Sequence, residues 1–206
     1  MMDLQENFIQ LCLTFSKDQS LINHFWQELE INYSEKGRHY HDLLHLENMF
    51  RELDSVKERI ENFTAVSFAV FYHDVIYNAS SKSNEEKSAS YAESRLQKLG
   101  LPQDLISKIT TQIIATKTHR KAEDTDTNYL LDADLSILGK DLDAYLDYSH
   151  KIRKEYSIYP DLLYKPGRKK VLKHFLELES LFKTDEFREK YELNAKKNIA
   201  EELKIL

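Results

Sequence analysis

Only four glycines and three prolines punctuate 206 residues, well under the roughly 12% combined share of an ordinary globular chain. Gly37, Gly100, Gly139 and Gly167, with Pro102, Pro160 and Pro166, leave long stretches with nothing to break a helix. No alternating strand pattern of useful length fills them, and no Asn-Gly or Asp-Gly turn joins two β-branched runs. The chain is therefore expected to be all-α, a single domain over residues 1–206 with about eight to ten helices.

Hydrophobic periodicity places them. Two helices are expected at about Leu4 to Phe15 and Gln19 to Tyr33, and a third from near His39 or Tyr40 to about Ile60. A strongly apolar helix follows from about Phe63 to Tyr77. Ser83 and Glu86 read as a capping box opening a helix that reaches Leu99 before Gly100. Leu105, Ile106, Ile109, Ile113 and Ile114 recur at helical spacing, and a further helix is expected from about Asn128 to Leu138. Leu142, Tyr145, Ile152, Tyr156 and Tyr159 form one core-facing stripe. Phe187, Tyr191, Ala195, Ile199 and Leu203 form another at steps of four.

Charge and cysteine content narrow the function. A formal net charge of −6 provides no global positive field, so no nucleic-acid polymer is expected as a partner, and a small ligand fits better. Cys12 is the single cysteine, which excludes an intrachain disulfide and makes the cytoplasm the expected compartment. The opening MMDLQENFIQLCLTF lacks a basic lead into an apolar run and does not resemble a signal peptide. No stretch approaches the roughly 20 apolar residues of a membrane helix, so no membrane partner is expected.

Three strings stand out from amphipathic helix: HYHDLLH at residues 39–45, FYHDVIY at 71–77 and LLDADLSILG at 130–139. In the second, His73 and Asp74 interrupt an apolar run, and burying an unpartnered carboxylate costs several kcal/mol. Adjacent helical side chains diverge by about 100°, yet both can reach one ion beside the helix. A core histidine with Asp74 paired to a Lys or Arg is the plainer alternative. His41 and His45, four apart on the expected third helix, could approach the same pocket. Asp132 and Asp134 differ by about 200° around a helix, so only one faces inward. Asp134, beside Leu131, Leu135 and Leu138, is the better inward candidate, with Asp132 left behind it or on the surface.

The order His, His-Asp, Asp resembles the HD superfamily of metal-dependent phosphohydrolases, and YHDLLHLENM is similar to its first motif. NEEKSA, ATKTH, IRKEY and GRKKVLKHFL extend the resemblance, over about Tyr40 to Leu176, to small bacterial predicted HD phosphohydrolases. It implies an HD helical bundle with its core at about residues 38–140 and the C-terminal helices packed onto it. It also implies a metal held by His45, His73, Asp74 and Asp134. Two imidazoles and two carboxylates suit Mn, Fe, Co, Ni, Zn or, less comfortably, Mg. One divalent ion is expected, because His119 is the sole histidine between the His-Asp pair and Asp134.

The resemblance implies hydrolysis of a small phosphate ester, a nucleotide among the candidates, by a metal-activated water. The alternative is a catalytically silent metal- and nucleotide-binding regulatory domain. Oxygenase chemistry would need more histidines. Asp74 is expected to bind metal and orient the nucleophile, His41 or His119 to move a proton, and Glu86 or its neighbour Glu85 to assist the water. No GxxxxGK[ST] loop exists, so Lys117, Arg120, Arg153 and Arg168 are the candidates for holding phosphate, Arg168 with help from a helix N-terminus after Gly167. His24, His150 and His174 are expected at the surface or in packing.

Overall fold

The computed structural model describes residues 3–206. Among these the chain is all-α, without a strand: α1 (Leu4–Leu13), α2 (Gln19–Tyr33), α3 (Leu43–Asp54), α4 (Phe63–Tyr72), α5 (Asn84–Lys98), α6 (Gln103–Ala115), α7 (Thr125–Leu135), α8 (Leu142–Glu155), α9 (Asp161–Glu177) and α10 (Asp185–Ile205). Short 3-10 turns at Lys57–Arg59 and Ser136–Gly139 follow α3 and α7. No helix is long and apolar enough to cross a membrane.

Short acidic and amide side chains set where helices begin. Asp3, Asp18, Asp42, Asn62, Asp124 and Asp141 each accept a backbone N–H from the first helical turn at 2.9–3.2 Å. These caps move several expected boundaries. Asp42 starts α3 at Leu43, so residues 39–42 are not helical, and His41 and His45 are not neighbours on one helix face. Asp124 starts α7 three residues before Asn128, and the helix tightens to 3-10 after Leu135. α4 stops at Tyr72, with His73 as its C-cap, rather than at Tyr77. Ser83 is the N-cap of α5 as expected, but the reciprocal capping-box bonds do not form: its hydroxyl lies by that of Ser81, and the Glu86 side chain pairs with Lys117. At the other end of α5, Gly100 takes φ +81°. There Leu101 N–H reaches Leu96 O at 3.1 Å and Gly100 N–H reaches Gln97 O at 3.0 Å, a Schellman closure.

α4 is the centre. Every residue from Ala65 to Tyr72 is buried, as a helix apolar on all sides must be, and α3, α5, α6 and α7 pack around it. One continuous core runs from α1 to α10. α10 lies on the 3-10 turn after α7, and Gly139 permits the contact, since a Cβ there would sit 2.5 Å from Tyr191 Cβ and 2.7 Å from its carbonyl oxygen. Phe187, Tyr191, Ala195 and Ile199 are buried on α10 as their spacing requires, with Leu203 at the core's edge. Ile114 and Leu142 leave their stripes and are each 45% exposed.

Asp132 corrects the reading of α7. It is fully buried, not superficial. It accepts Lys183 N–H at 2.8 and 2.9 Å, Thr184 N–H at 2.7 Å and the Thr184 hydroxyl at 2.7 Å, fixing the approach to α10. Asp132→Ala orphans these donors and is expected to lower stability by about 3–5 kcal/mol, roughly 10 °C in melting temperature for a chain of this size. Thermal denaturation by circular dichroism measures it, and a shift under about 2 °C would contradict the anchoring role.

Candidate metal centre

Four pieces of chain meet at the C-terminal end of α4: the loop 39–42, the first turn of α3, the His73–Asp74 corner and the end of α7. His45 Nε2 and His73 Nε2 face each other at 3.3 Å. Asp74 Oδ2 lies 3.2 Å from His73 Nε2, and Asp134 Oδ1 lies 3.2 Å from His45 Nε2. The ligating atoms of His45, His73 and Asp74 all fall within 4.8 Å of one another, a grouping that could hold a metal ion. Asp134 joins it through His45 and turns its other oxygen to His119 Nε2 at 2.8 Å.

The donor chemistry fits a divalent cation. His73 Nδ1–H donates to Val70 O at 2.9 Å, which fixes the tautomer and leaves Nε2 with its lone pair toward His45 and Asp74. Two imidazole nitrogens at van der Waals separation between two carboxylates demand positive charge. Burial disfavours a charged His73, but Asp74 and Asp134 more than offset it and push its pKa up to about 9. Asp74, likewise against its burial, is held well below the carboxylate range by His73 and His41, and Asp134 by hydrogen bonds from His119 and His45.

Backbone anchors hold the corner. The Arg38 guanidinium, buried, donates to the carbonyls of Asp74 (2.6 Å), Val75 (2.9 Å) and His41 (3.1 Å). The Tyr33 hydroxyl donates to Phe71 O at 3.1 Å and accepts Asp74 N–H at 3.3 Å. Glu155, at the end of α8, takes the backbone N–H groups of His39, Tyr40 and His41 on one oxygen at 2.8, 2.7 and 2.9 Å. Its second oxygen accepts His41 Nδ1–H at 2.6 Å and the Tyr77 hydroxyl at 2.9 Å. His41 thus presents Nε2 toward Asp74 Oδ2, 3.9 Å away. Burial opposes charge on His41, but Glu155 and Asp74 raise its pKa above the ordinary imidazole value. His119 occupies a left-handed conformation, φ +49°, a strain of about 1 kcal/mol or more in a residue with a Cβ. The bond to Asp134 holds it there.

His41, Asp74, His119 and Asp134 line one end of a cavity of about 580 Å³ bounded by α5, the ends of α6 and α7, α8 and α9. Of the remaining candidates, Lys117 lines it, donating to Lys82 O at 2.8 Å and paired with Glu86. Glu86 itself is exposed and outside the lining, whereas Glu85 is in it. Arg120 is exposed and away from the cavity. Arg153 braces the bend after α8, donating to the carbonyls of Tyr156 and Tyr159 at 3.0 Å and pairing with Asp161 at 2.8 Å. Arg168 lies within α9, not at a helix start, and its buried guanidinium is met by Glu202 at 2.8 and 3.0 Å. His24, His150 and His174 are exposed. Ile152, Tyr156 and Tyr159, expected to face the core, help wall the cavity.

Glu155, Arg38 and Tyr77 went unnoticed in the sequence. Glu155 sits inside the IRKEY string and Tyr77 closes the FYHDVIY string, the signals that could have drawn attention to them; nothing local marks Arg38. Compared with protein-family models, with curated proteins and with solved structures, the chain matches none. The geometry carries the functional reading.

Proposed function

We propose that this protein is a metal-dependent phosphohydrolase acting on a small phosphate ester, with one divalent ion held by His45, His73, Asp74 and Asp134. The observation that carries the reading is the pair of imidazole Nε2 atoms 3.3 Å apart, flanked by two carboxylates, at the end of a ligand-sized cavity. A divalent ion in that position supplies Lewis-acid stabilisation of charge on a phosphoryl oxygen.

The chain's own residues do the rest. Val70 O and His119 orient His73 and Asp134 through the atoms that do not face the ion. His41, its Nδ1–H fixed on Glu155, offers Nε2 beside Asp74 as the group that carries a proton to or from the reacting oxygens. Lys117, at the same end of the cavity, adds positive charge for the phosphate.

The test is turnover by protein stripped of metal and reloaded with Mn, Fe, Co, Ni, Zn or Mg. Phosphomonoesters, phosphodiesters, nucleotides and pyrophosphate are the substrates. At least one ester should be hydrolysed only by reloaded protein, with loss on chelation and recovery on metal addition. Stoichiometric metal without turnover of any ester would replace this reading with that of a silent regulatory domain.

A further inference from the structure

The cavity changes character along its length. Tyr77 stacks on His41 at 4.4 Å between ring centroids, and Tyr40 packs on His45 at 4.9 Å, so rings already border the charged end. Tyr148 continues from Tyr40 at 4.7 Å, and the α8–α9 wall carries Tyr156, Tyr159 and Tyr164, clustered at 6.1–6.3 Å between centroids, and Phe175, with the Glu202-paired Arg168 against Tyr148. Leu135, Leu138 and Ile152 fill the intervals. Such planar faces, with hydroxyls at their rims, bind rings with little loss of side-chain entropy.

Charge sets a second limit. The lining carries two basic side chains, Lys117 and Arg168. Lys117 is paired with Glu86, and Arg168 with Glu202. Asp74 and Asp134 together balance one divalent ion. A single phosphate can be met by that ion and by His41 and His119 at the same end of the cavity, with Lys117 shared between it and Glu86. A di- or triphosphate would bring further negative charge past side chains with none to spare, and desolvating unpaired charge is unfavourable.

We propose that the ligand of this cavity is the phosphate monoester of a planar aromatic or heteroaromatic group, its one phosphate at the His41–Asp74 end and its ring against Tyr156 and Tyr159. The placement of the phosphate rests on the function proposed above; the ring chamber does not.

Calorimetric binding to Mn²⁺-loaded protein tests it with phosphonates, which cannot be hydrolysed. Benzylphosphonate should bind about tenfold more tightly than methylphosphonate and several-fold more tightly than cyclohexylmethylphosphonate, the scale of one ring stack. Tyr159→Leu, which keeps bulk and removes the ring, should erase most of that advantage and leave methylphosphonate binding unchanged. The proposal is overturned by absence of saturable benzylphosphonate binding or by equal affinity for the benzyl and cyclohexylmethyl ligands. Retained ring preference without turnover of phenyl phosphate would sink hydrolysis while leaving this ligand class standing.

Discussion

Glu155→Ala is expected to lose about 3–5 kcal/mol of stability, the scale of breaking a buried, fully hydrogen-bonded charge. It is also expected to lower kcat/KM about 10- to 100-fold, as losing the partner that orients a functional imidazole does. One side chain with no exposed surface satisfies three consecutive backbone N–H groups, His41 Nδ1 and the Tyr77 hydroxyl. Alanine leaves all five without a partner. Glutamine separates the two consequences. Its carbonyl oxygen can still serve the backbone donors, but its amide would face His41 Nδ1–H donor to donor, forcing the other tautomer. Glu155→Gln should therefore be destabilised less than Glu155→Ala, since it gives up the charge but keeps an acceptor for the backbone donors, and should still lose most of the turnover.

The same residue gives an acid signature. Burial raises the pKa of Glu155, but His41 and the backbone donors more than offset that and lower it from the ordinary 4.5 to about 2. Its folded-state value lies below the unfolded one, so its contribution is complete above about pH 4.5 and is lost as pH falls toward 2. That is about 3 kcal/mol. Urea denaturation at pH 6 and pH 3 should show a steeper loss for wild type than for Glu155→Gln. Parallel losses would remove Glu155 from the account.

Asp74→Ala has the opposite profile. The Asp74 backbone holds the corner, through its carbonyl on Arg38 and its N–H on Tyr33, and alanine keeps both. The side chain faces only His73, His41 and the cavity. The variant should remain folded, losing only what the His73 contact and the bound ion contribute, while kcat on the hydrolysed ester falls by about a thousandfold or more, beyond the 10- to 100-fold of a residue that merely supports a ligand. With both proteins stripped of metal, failure of the variant to fold would mean the carboxylate is a structural partner, the plainer reading of a buried His-Asp pair.

Helix content was legible because scarce glycine and proline left few other conformations, and α2 runs from Gln19 to Tyr33 as its periodicity requires. Boundaries depended on which polar side chain won a cap: Asp42 took α3, while Ser83 does precede α5 as its sequence suggests but without the capping-box hydrogen bond. The residues with chemistry stood out as polar groups in apolar runs, and His45, His73, Asp74, Asp134, His41 and His119 do converge. What could not be read was what holds them. Glu155 and Arg38 act on backbone groups distant in sequence, and no local pattern announces such a contact. Asp132 shows the same limit from the other side, since helix geometry separates it from Asp134 but does not reveal the Lys183–Thr184 turn waiting for it.

Direct metal analysis of purified protein by inductively coupled plasma mass spectrometry, after reloading with Mn²⁺ and desalting, tests the central claim most closely. Wild type and Asp132→Asn should each carry about one equivalent, whereas His45→Ala, Asp74→Ala and Asp134→Asn should fall well below it while remaining folded. Stoichiometric metal in both His45→Ala and Asp74→Ala, or none in wild type, would contradict the assignment.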